Sequence, residues 1–347
     1  MAFGSGIAAQ VSFGQETTVG TFVTVDHSYE HLEANLDLTQ NWAEGLGLHA
    51  GGQLKRASRA VPTTRTATGT FKMGFPNKKA GLLVRHALGS PISVPTLITG
   101  TAYKQVHTLG NAAGLGLTTQ IGVPRADGTV EPFTYPGTKV KDWELSCQEG
   151  AFLDFTLGLD AWDELTTATT PAGPALTAAS YALPTELFNF TQCAVKLGGT
   201  ASTAASVVSI TGGTTVATLL KDFSLKGATP LAESRFGPAA TKREQLQNGY
   251  TSPTLTFNAE FLNRTEWYDQ FRAGATLPLQ ITFTGSQIAA TGSFNTVDIV
   301  LAATKQKQQK VSGNGQDLSV QPLDLEVYDD GVNVGVQITV ISSDATL

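Results

Sequence analysis

Cysteine, charge and long apolar runs are all scarce in this chain, and each scarcity excludes something. Two cysteines in 347 residues, Cys147 and Cys193, cannot form a disulfide framework. Both sit in apolar, strand-like stretches, where a buried free thiol is expected. Lys and Arg number 23 against 29 Asp and Glu, a net charge of −6 with no long run of either sign. A grip on nucleic acid normally needs a basic face, because phosphate neutralisation supplies most non-specific affinity. The nearest approach, "KQKQQK" from Lys305 to Lys310, reads as a solvated loop. No apolar run reaches the ~18 residues that span a bilayer, and "MAFGSGIAAQ" lacks the basic and apolar regions of a signal peptide. The expectation is a soluble chain with no membrane partner, made in a reducing cytosol.

Catalytic patterns are missing too. There is no G-x-S-x-G elbow, H-E-x-x-H or Walker A motif. His27 and His31 stand four apart, as on one helix face, but no third ligand is near and a surface pair is the simpler reading. His86 falls near the end of an expected helix, placed to meet its dipole. "GFPNKKAG" (Gly74 to Gly81) lacks phosphate-loop spacing. Trp162 to Glu164 and Asp329–Asp330 read as strand ends and turns, not as a glycosidase pair. "NRT" and "NFT" carry no weight as glycosylation sites without a secretory signal. The residues make no case for an enzyme, and no cofactor or metal is expected.

What is abundant points to β-structure. The chain is 41% hydrophobic with 36 Gly and 15 Pro, a turn-rich globular profile long enough for two domains. Period-2 alternation dominates. In "VKDWELSC", Trp143, Leu145 and Cys147 share one face; after "QEGA", Leu153, Phe155, Leu157 and Leu159 share one face of the next strand. A hairpin with one buried and one wet face follows. Leu323, Leu325 and Val327, then Val332 to Val340, repeat the pattern around an Asp329–Gly331 turn at an offset of 180 to 181 residues.

A second block repeats as well. "TGTFKMGFPNKKAGLLVRHALGS" from Thr68 returns as "PTLTFNAEFLNRTEWYDQFRAGA" from Pro253, offset by 185 to 187. Phe71 and Phe75 match Phe257 and Phe261; Asn77 and Asn263 sit where helix N-caps belong, with Glu266 at capping-box spacing. Leu83 with Ala87, and Trp267 with Phe271, share helix faces. Gly89 and Gly274 are natural helix stops. The expectation is an internal duplication: a first module over 1–165 with an N-terminal arm over 1–21, a linker over 166–184, and a second module over 185–347. Each module carries one long irregular segment before its strand–helix block, Ala43 to Ala67 and Pro230 to Thr251. Segments of that length are usually functional.

The order of features resembles a known family. "GQETTVGTF" at Gly14 is followed by "YEHLEANLDL", the long loop, "TGTFKMGF" and "LLVRHALGSP". "HT" at His107, "EPFTYPGTKVKDWELSCQEGAFLDFTLGL" and "NGYTSPTLTF" continue it to about Val340. The chain is similar to the major tail tube proteins of long, non-contractile phage tails (siphophages), in the subgroup with a duplicated tube module, and the resemblance extends to phages of thermophilic bacteria. The resemblance implies mainly β structure, two tandem β-sandwich or barrel modules, each with one flanking helix and one long loop. It implies homotrimeric, pseudo-hexameric rings that stack head-to-tail into a tube, the conduit for DNA ejection. Tape-measure, tail-terminator and baseplate or tip proteins are the implied partners, in a virion assembled in the host cytoplasm. Ring stacking is expected on the loops: Leu54, Lys55, Arg56, Arg59 and Arg65 in the first, and Arg235, Lys242, Arg243 and Glu244 in the second. The N-terminal arm and the tail after Ile341 are secondary candidates. The competing class is a monomeric tandem β-sandwich binding or adhesin module. It should show surface aromatics, whereas Trp42, Trp143, Trp162 and Trp267 fall mostly on apolar faces of the alternation.

Overall fold

A computed structural model describes residues 6–47, 52–91, 94–183, 185–238, 242–289, 291–309 and 319–347. The described chain is mainly β, with two short α-helices, α1 (Gly81–Leu88) and α2 (Tyr268–Ala273). Nine strands precede residue 165: β1 (Gln10–Gln15), β2 (His27–Tyr29), β3 (Glu33–Glu44), β4 (Ala60–Gly74), β5 (Thr96–Thr99), β6 (Ala102–Thr108), β7 (Leu117–Pro124), β8 (Val130–Gln148) and β9 (Asp154–Ala161). Ten follow: β10 (Cys193–Leu197), β11 (Thr200–Ala204), β12 (Val207–Thr211), β13 (Thr214–Thr215), β14 (Leu220–Ala228), β15 (Thr254–Glu260), β16 (Leu277–Gln287), β17 (Phe294–Gln309), β18 (Val320–Val327) and β19 (Val336–Ser342).

Seven strands of the first set pair in the order β2–β1–β7–β8–β9–β4–β3, all antiparallel, while β5 pairs with β6. Seven of the second pair as β13–β10–β16–β17–β18–β15–β14, also antiparallel, while β11 and β12 pair apart and β19 lies along β17. The two orders match strand for strand. Register carries the match to single residues. Phe71 faces Leu157, and Phe257 faces Leu323. Thr138 faces Leu117 and Thr304 faces Leu277, with both threonines buried. The ladder skips Lys141 between β8 and β9 and Lys307 between β17 and β18, so one β-bulge recurs at one place.

These pairings correct the expected repeat of the first hairpin. The counterpart of β8–β9 is β17–β18, offset by 166 residues on Leu157 and Leu323, not the stretch around the Asp329–Gly331 turn. β18 lies antiparallel to β17 from Thr304 to Gln309, and β19 lies antiparallel to it from Thr296 to Leu301. Both therefore run in one direction, end to end, and residues 328–335 are an excursion from a single interrupted strand. Asp329 and Asp330 do accept turn-type bonds from Gly331, Val332 and Asn333, but the turn does not reverse the chain. Alternation reports which face a residue takes, not which way the next strand runs.

The core is where alternation puts it. Trp143, Leu145, Cys147, Leu153, Phe155, Leu157 and Leu159 are all buried, as are Phe257, Leu323 and Leu325. Phe188 packs edge-on against both Phe75 and Phe283, at 6.2 and 6.5 Å between ring centroids, so one aromatic links the two sets of strands. Cys193 is only half-buried, unlike Cys147, and both are free thiols. Trp42 departs from the apolar-face reading, with 56% exposure.

Both helices stop at a glycine with left-handed backbone, Gly89 at φ 63° and Gly274 at φ 62°. Each closes with the same bond pair: Gly89 N–H to His86 O and Ser90 N–H to Arg85 O, then Gly274 N–H to Phe271 O and Ala275 N–H to Gln270 O. The expected N-caps fail. Asn77 instead exchanges two bonds with Glu186, and the residue before α1 is Ala80, without a side-chain cap. Asn263 does accept from Glu266 N–H, but the Glu266 carboxylate accepts from Ala217 N–H and the Thr218 hydroxyl, leaving the box open. All of α1 is buried and none of α2 is, although Trp267 at its start is fully buried.

His27 and His31 share no helix; His27 opens β2, bonded to Asp26 and to the Leu347 carbonyl. Burial pushes His86 down to about 3, aided by Arg85 and Lys139, so its imidazole is neutral and brings no charge to the helix end. "KQKQQK" belongs to β17 as far as Gln309, and Lys310 lies outside the described residues.

Two seams join the sets of strands. β14 lies along β8, from Asp222 opposite Gln148 to Ala228 opposite Asp142. β19 lies along β6, from Gln337 opposite Thr108 to Ser342 opposite Tyr103. Between the sets, residues 166–183 form no strand but lie on β1, β2 and β7. Thr177 bonds Gln120 and Gln10, and Ser180 bonds Ser28.

Candidate assembly surfaces

The two long connections, from β3 to β4 and from β14 to β15, occupy matching positions and differ in every physical respect. The first is shorter than its sequence suggests. β3 runs on to Glu44 and β4 starts at Ala60, with Trp42 opposite Pro62 and Gln40 opposite Arg65, so much of Ala43 to Ala67 is a two-stranded arm. Alternation could not reveal it, because both faces of the arm are exposed and neither needs to be apolar. Residues 45–47 and 52–59 complete its described end, which includes a 3-10 turn at Ala57–Arg59.

Leu54 is 89% exposed at that end, beside exposed Arg56 and Arg59. Lys55 pairs with Glu44. The Arg59 side chain runs along Gly45 and Gly47, close enough that a Cβ at Gly47 would meet its guanidinium. Arg65, at the arm's base, donates to Gln40 Oε1 at 3.1 Å and stands 3.9 Å from Asp163.

The second connection is irregular, as expected, but it is strapped across β8 and β9. Lys242 Nζ donates to both Asp160 oxygens at 2.9 Å, to Thr66 Oγ1 at 2.7 Å and to the Ala161 carbonyl at 2.9 Å. The two side chains are 2% and 1% exposed. Lys139 donates to Glu244 Oε1 and Ala112 O at 2.7 Å, and to Gln245 O at 3.0 Å. Gln245 donates to Asp160 Oδ2 at 2.7 Å and accepts from Trp162 Nε1 at 3.0 Å. Arg235 bonds the Glu244 carbonyl, and only Arg243 among the four named strap residues is exposed.

Burial pushes the Lys242 and Lys139 ammonium groups down, opposed by Asp160 and Glu244 respectively. Burial pushes Glu244 up, but the bonds from Lys139 and from Gly114 N–H, with the charges of Lys139 and Arg235, hold it below its ordinary range. Lys242 and Glu244 thus meet acceptors and donors inside their own chain. The wet face expected of β9 at Asp160 is covered.

The secondary candidates are also engaged within the chain. Met1 to Ser5 lie outside the described residues, and β1 is flanked by β2 and β7. Glu16 in "GQETTVGTF" is buried, accepting from Gly137 N–H, Gly20 N–H and Thr118 Oγ1 at 2.7 to 2.9 Å. The Trp162 ring fits between Gly20 and Gly137, where a Cβ at either would strike it. At the other end, Asp344 accepts from Lys79 N–H, and Thr346 O from Gln105 Nε2.

Sequence reading overlooked Lys139, Asp160, Gln245 and Glu16. Lys139 and Asp160 were legible as opposite-sign charges on adjoining strands; their long-range partners were not. It also overlooked two strand margins. β3 has β4 on one side, and β17 loses β16 beyond Thr304, where the β16 ladder begins at Leu277. Among the described residues no group of three or more His, Cys, Asp or Glu is arranged to hold a metal, and no helix is long and apolar enough to cross a membrane.

A family model described as phage tail tube protein matches residues 6–327. No curated protein matches the chain.

Proposed function

Because the chain belongs to the phage tail tube protein family, and so serves as a structural component of the virion tail, we propose that it builds the tube from three-subunit, pseudo-hexameric rings. The monomeric adhesin reading is not favoured. Each copy supplies two duplicated modules, over 1–165 and 185–347, joined by the linker. The observation that carries this reading is the matching order of the two strand sets, down to the shared bulge at Lys141 and Lys307. A chain with two such units reaches six positions as a trimer. The tube is that of a long non-contractile tail, a conduit for DNA meeting tape-measure, terminator and tip proteins at its ends. A net charge of −6 supports passage without retention, since cations along a lumen hold phosphates.

Ring stacking falls to the arm, through Leu54, Lys55, Arg56 and Arg59, with Arg65 at its base. Of the strap residues only Arg243 keeps that role in the proposal, because Lys242 and Glu244 are occupied within the chain. Electron microscopy of the purified protein tests both parts. Rings with three-fold symmetry and two alternating lobes support the trimer; six identical lobes from six chains overturn it. The triple variant Lys55→Glu, Arg56→Glu, Arg59→Glu should leave rings but shorten tubes sharply. Tubes of ordinary length in that variant remove the arm from stacking.

A further inference from the structure

The chain's two thiols stand on opposite sides of one junction between the strand sets. Cys147, 2% exposed, points inward near the end of β8, and Cys193, half-buried, opens β10. On β14 the residue opposite Cys147 is Phe223, and on β16 the residue opposite Cys193 is Phe283. Residues directly opposite in a ladder share a face, so each cysteine points to the same side as its phenylalanine. The two rings meet at 5.7 Å between centroids, so the β8–β14 and β16–β10 ladders face each other there.

The backbone draws the cysteines together as well. The Cys147 thiol donates to the Ala151 carbonyl at 3.7 Å, and the same carbonyl accepts from Phe190 N–H at 3.1 Å. Phe190 begins a 3-10 turn that closes with a bond from Cys193 N–H to Phe190 O. One carbonyl therefore separates the Cys147 sulfur from the turn that carries Cys193, and both side chains pack into one core. We propose that Cys147 and Cys193 are a latent disulfide site, closed in oxidising surroundings by a low-molecular-weight disulfide, and that the bridge staples the first set of strands to the second.

Cys193 is the point of entry. It lines an open groove of about 370 Å³ with Leu220 and Phe223, a size that admits a small ligand. Its thiolate attacks one sulfur of the reagent, whose S–S bond breaks; one thiol leaves and a mixed disulfide stands on Cys193. The Cys147 thiolate then attacks the Cys193 sulfur, the second reagent thiol leaves, and the protein bridge is made. Two protein thiols are oxidised and one disulfide is reduced to two thiols, which take up the two protons that the cysteines give up. Burial pushes the Cys147 thiol up to about 11 and the Cys193 thiol up to about 12, the second also through the charge of Cys147. Little thiolate is therefore present at neutral pH, and closure is slow but faster as pH rises. Disulfides persist on virions and outside cells, and slow closure lets strand pairing finish first. The bridged segment contains the whole 166–183 connection, and constraining a long loop in the unfolded chain favours the folded one.

Thiol counting and intact mass test the site. The folded protein is incubated with oxidised glutathione at mildly alkaline pH, quenched with acid, denatured and alkylated. It should pass from two labels per chain to none, become lighter by two hydrogens, and run as a monomer on a non-reducing denaturing gel. Cys147→Ala should stop at the mixed disulfide, one glutathione heavier, and Cys193→Ala should keep its single label. The oxidised wild type should melt several degrees above the reduced protein, and a reductant should remove the gain. Two labels retained, two glutathiones per chain, or a bridge between chains overturns the site. Glutathione on Cys147 in the Cys193→Ala variant overturns the order of attack. A bridge that forms within the chain but lowers the melting midpoint overturns the staple.

Discussion

The arm and the strap connect matching strands, yet one is held down by buried charges and the other stands clear of the protein. The strap brings Lys242 and Glu244 to Asp160 and Lys139 in compensating pairs, with Lys242, Asp160 and Lys139 removed from water and Glu244 half-buried. Such pairs contribute little net stability but fix one arrangement strongly, since either charge alone is costly to bury. The arm has Lys55 with Glu44, both well exposed, a pairing worth under about 1 kcal/mol. Matching backbone positions are thus engaged in opposite ways. The strap closes a contact inside the chain, and the described end of the arm is left exposed.

The sharpest way to break this contrast is Asp160→Ala. It leaves the Lys242 ammonium buried without its partner and should cost roughly 3–5 kcal/mol, read as a lower urea midpoint. Asp160→Leu with Lys242→Met should recover most of that loss. A single-variant loss below about 1 kcal/mol would remove the strap from the stabilising contacts.

Acid should act on the strap and on the β6–β19 seam, and spare the arm. Burial holds His86 and His107 at about 3, with Arg85 close to both, while the unfolded chain titrates at 6.5. The unfolded state therefore binds more protons between those values, and stability falls as pH drops below 6.5. Each histidine contributes up to about 1.4 kcal/mol per pH unit in that window. His107→Phe should reduce the slope of stability against pH by one proton; an unchanged slope would contradict the neutral, buried assignment.

Glu244 gives a smaller effect at lower pH. Its folded value is depressed, so its contribution is complete above 4.5 and is lost as pH falls through the folded value. Trp162, bonded to Gln245 in the strap, should report the release by fluorescence, and Glu244→Gln should remove that acid transition. The smallest change belongs to the arm. Arg56→Ala and Arg59→Ala should each move the unfolding midpoint by an amount corresponding to less than about 0.5 kcal/mol. A larger loss would mean that the arm, too, is structural.

Sequence reached the buried faces and the helix stops because those depend on local rules. Alternation placed Phe155 and Leu157, and only glycine takes φ near 60° without cost at positions 89 and 274. It failed where two local patterns look alike. A strand–turn–strand pattern serves a hairpin or an interrupted strand equally, and β18–β19 is the latter. It failed again where the partner is remote. Asn77 is a good N-cap by type, but Glu186 competes for it across more than a hundred residues. Among the stacking candidates, Leu54 and Arg56 stand exposed where loop composition suggested, while nothing local distinguishes Lys242, which is buried, from Arg243, which is not.

The last seam also sets an order in time. β6 is synthesised about 230 residues before β19, the strand that covers it, as His107 opposite Ile338 shows. Loop closure over that span is slow, and a bare strand margin is the part of a nascent chain most open to wrong pairing. The first set of strands therefore cannot finish when its own residues emerge from the ribosome; it waits for the end of the second set. A half-made chain has an incomplete sheet on that side until translation has passed Ser342.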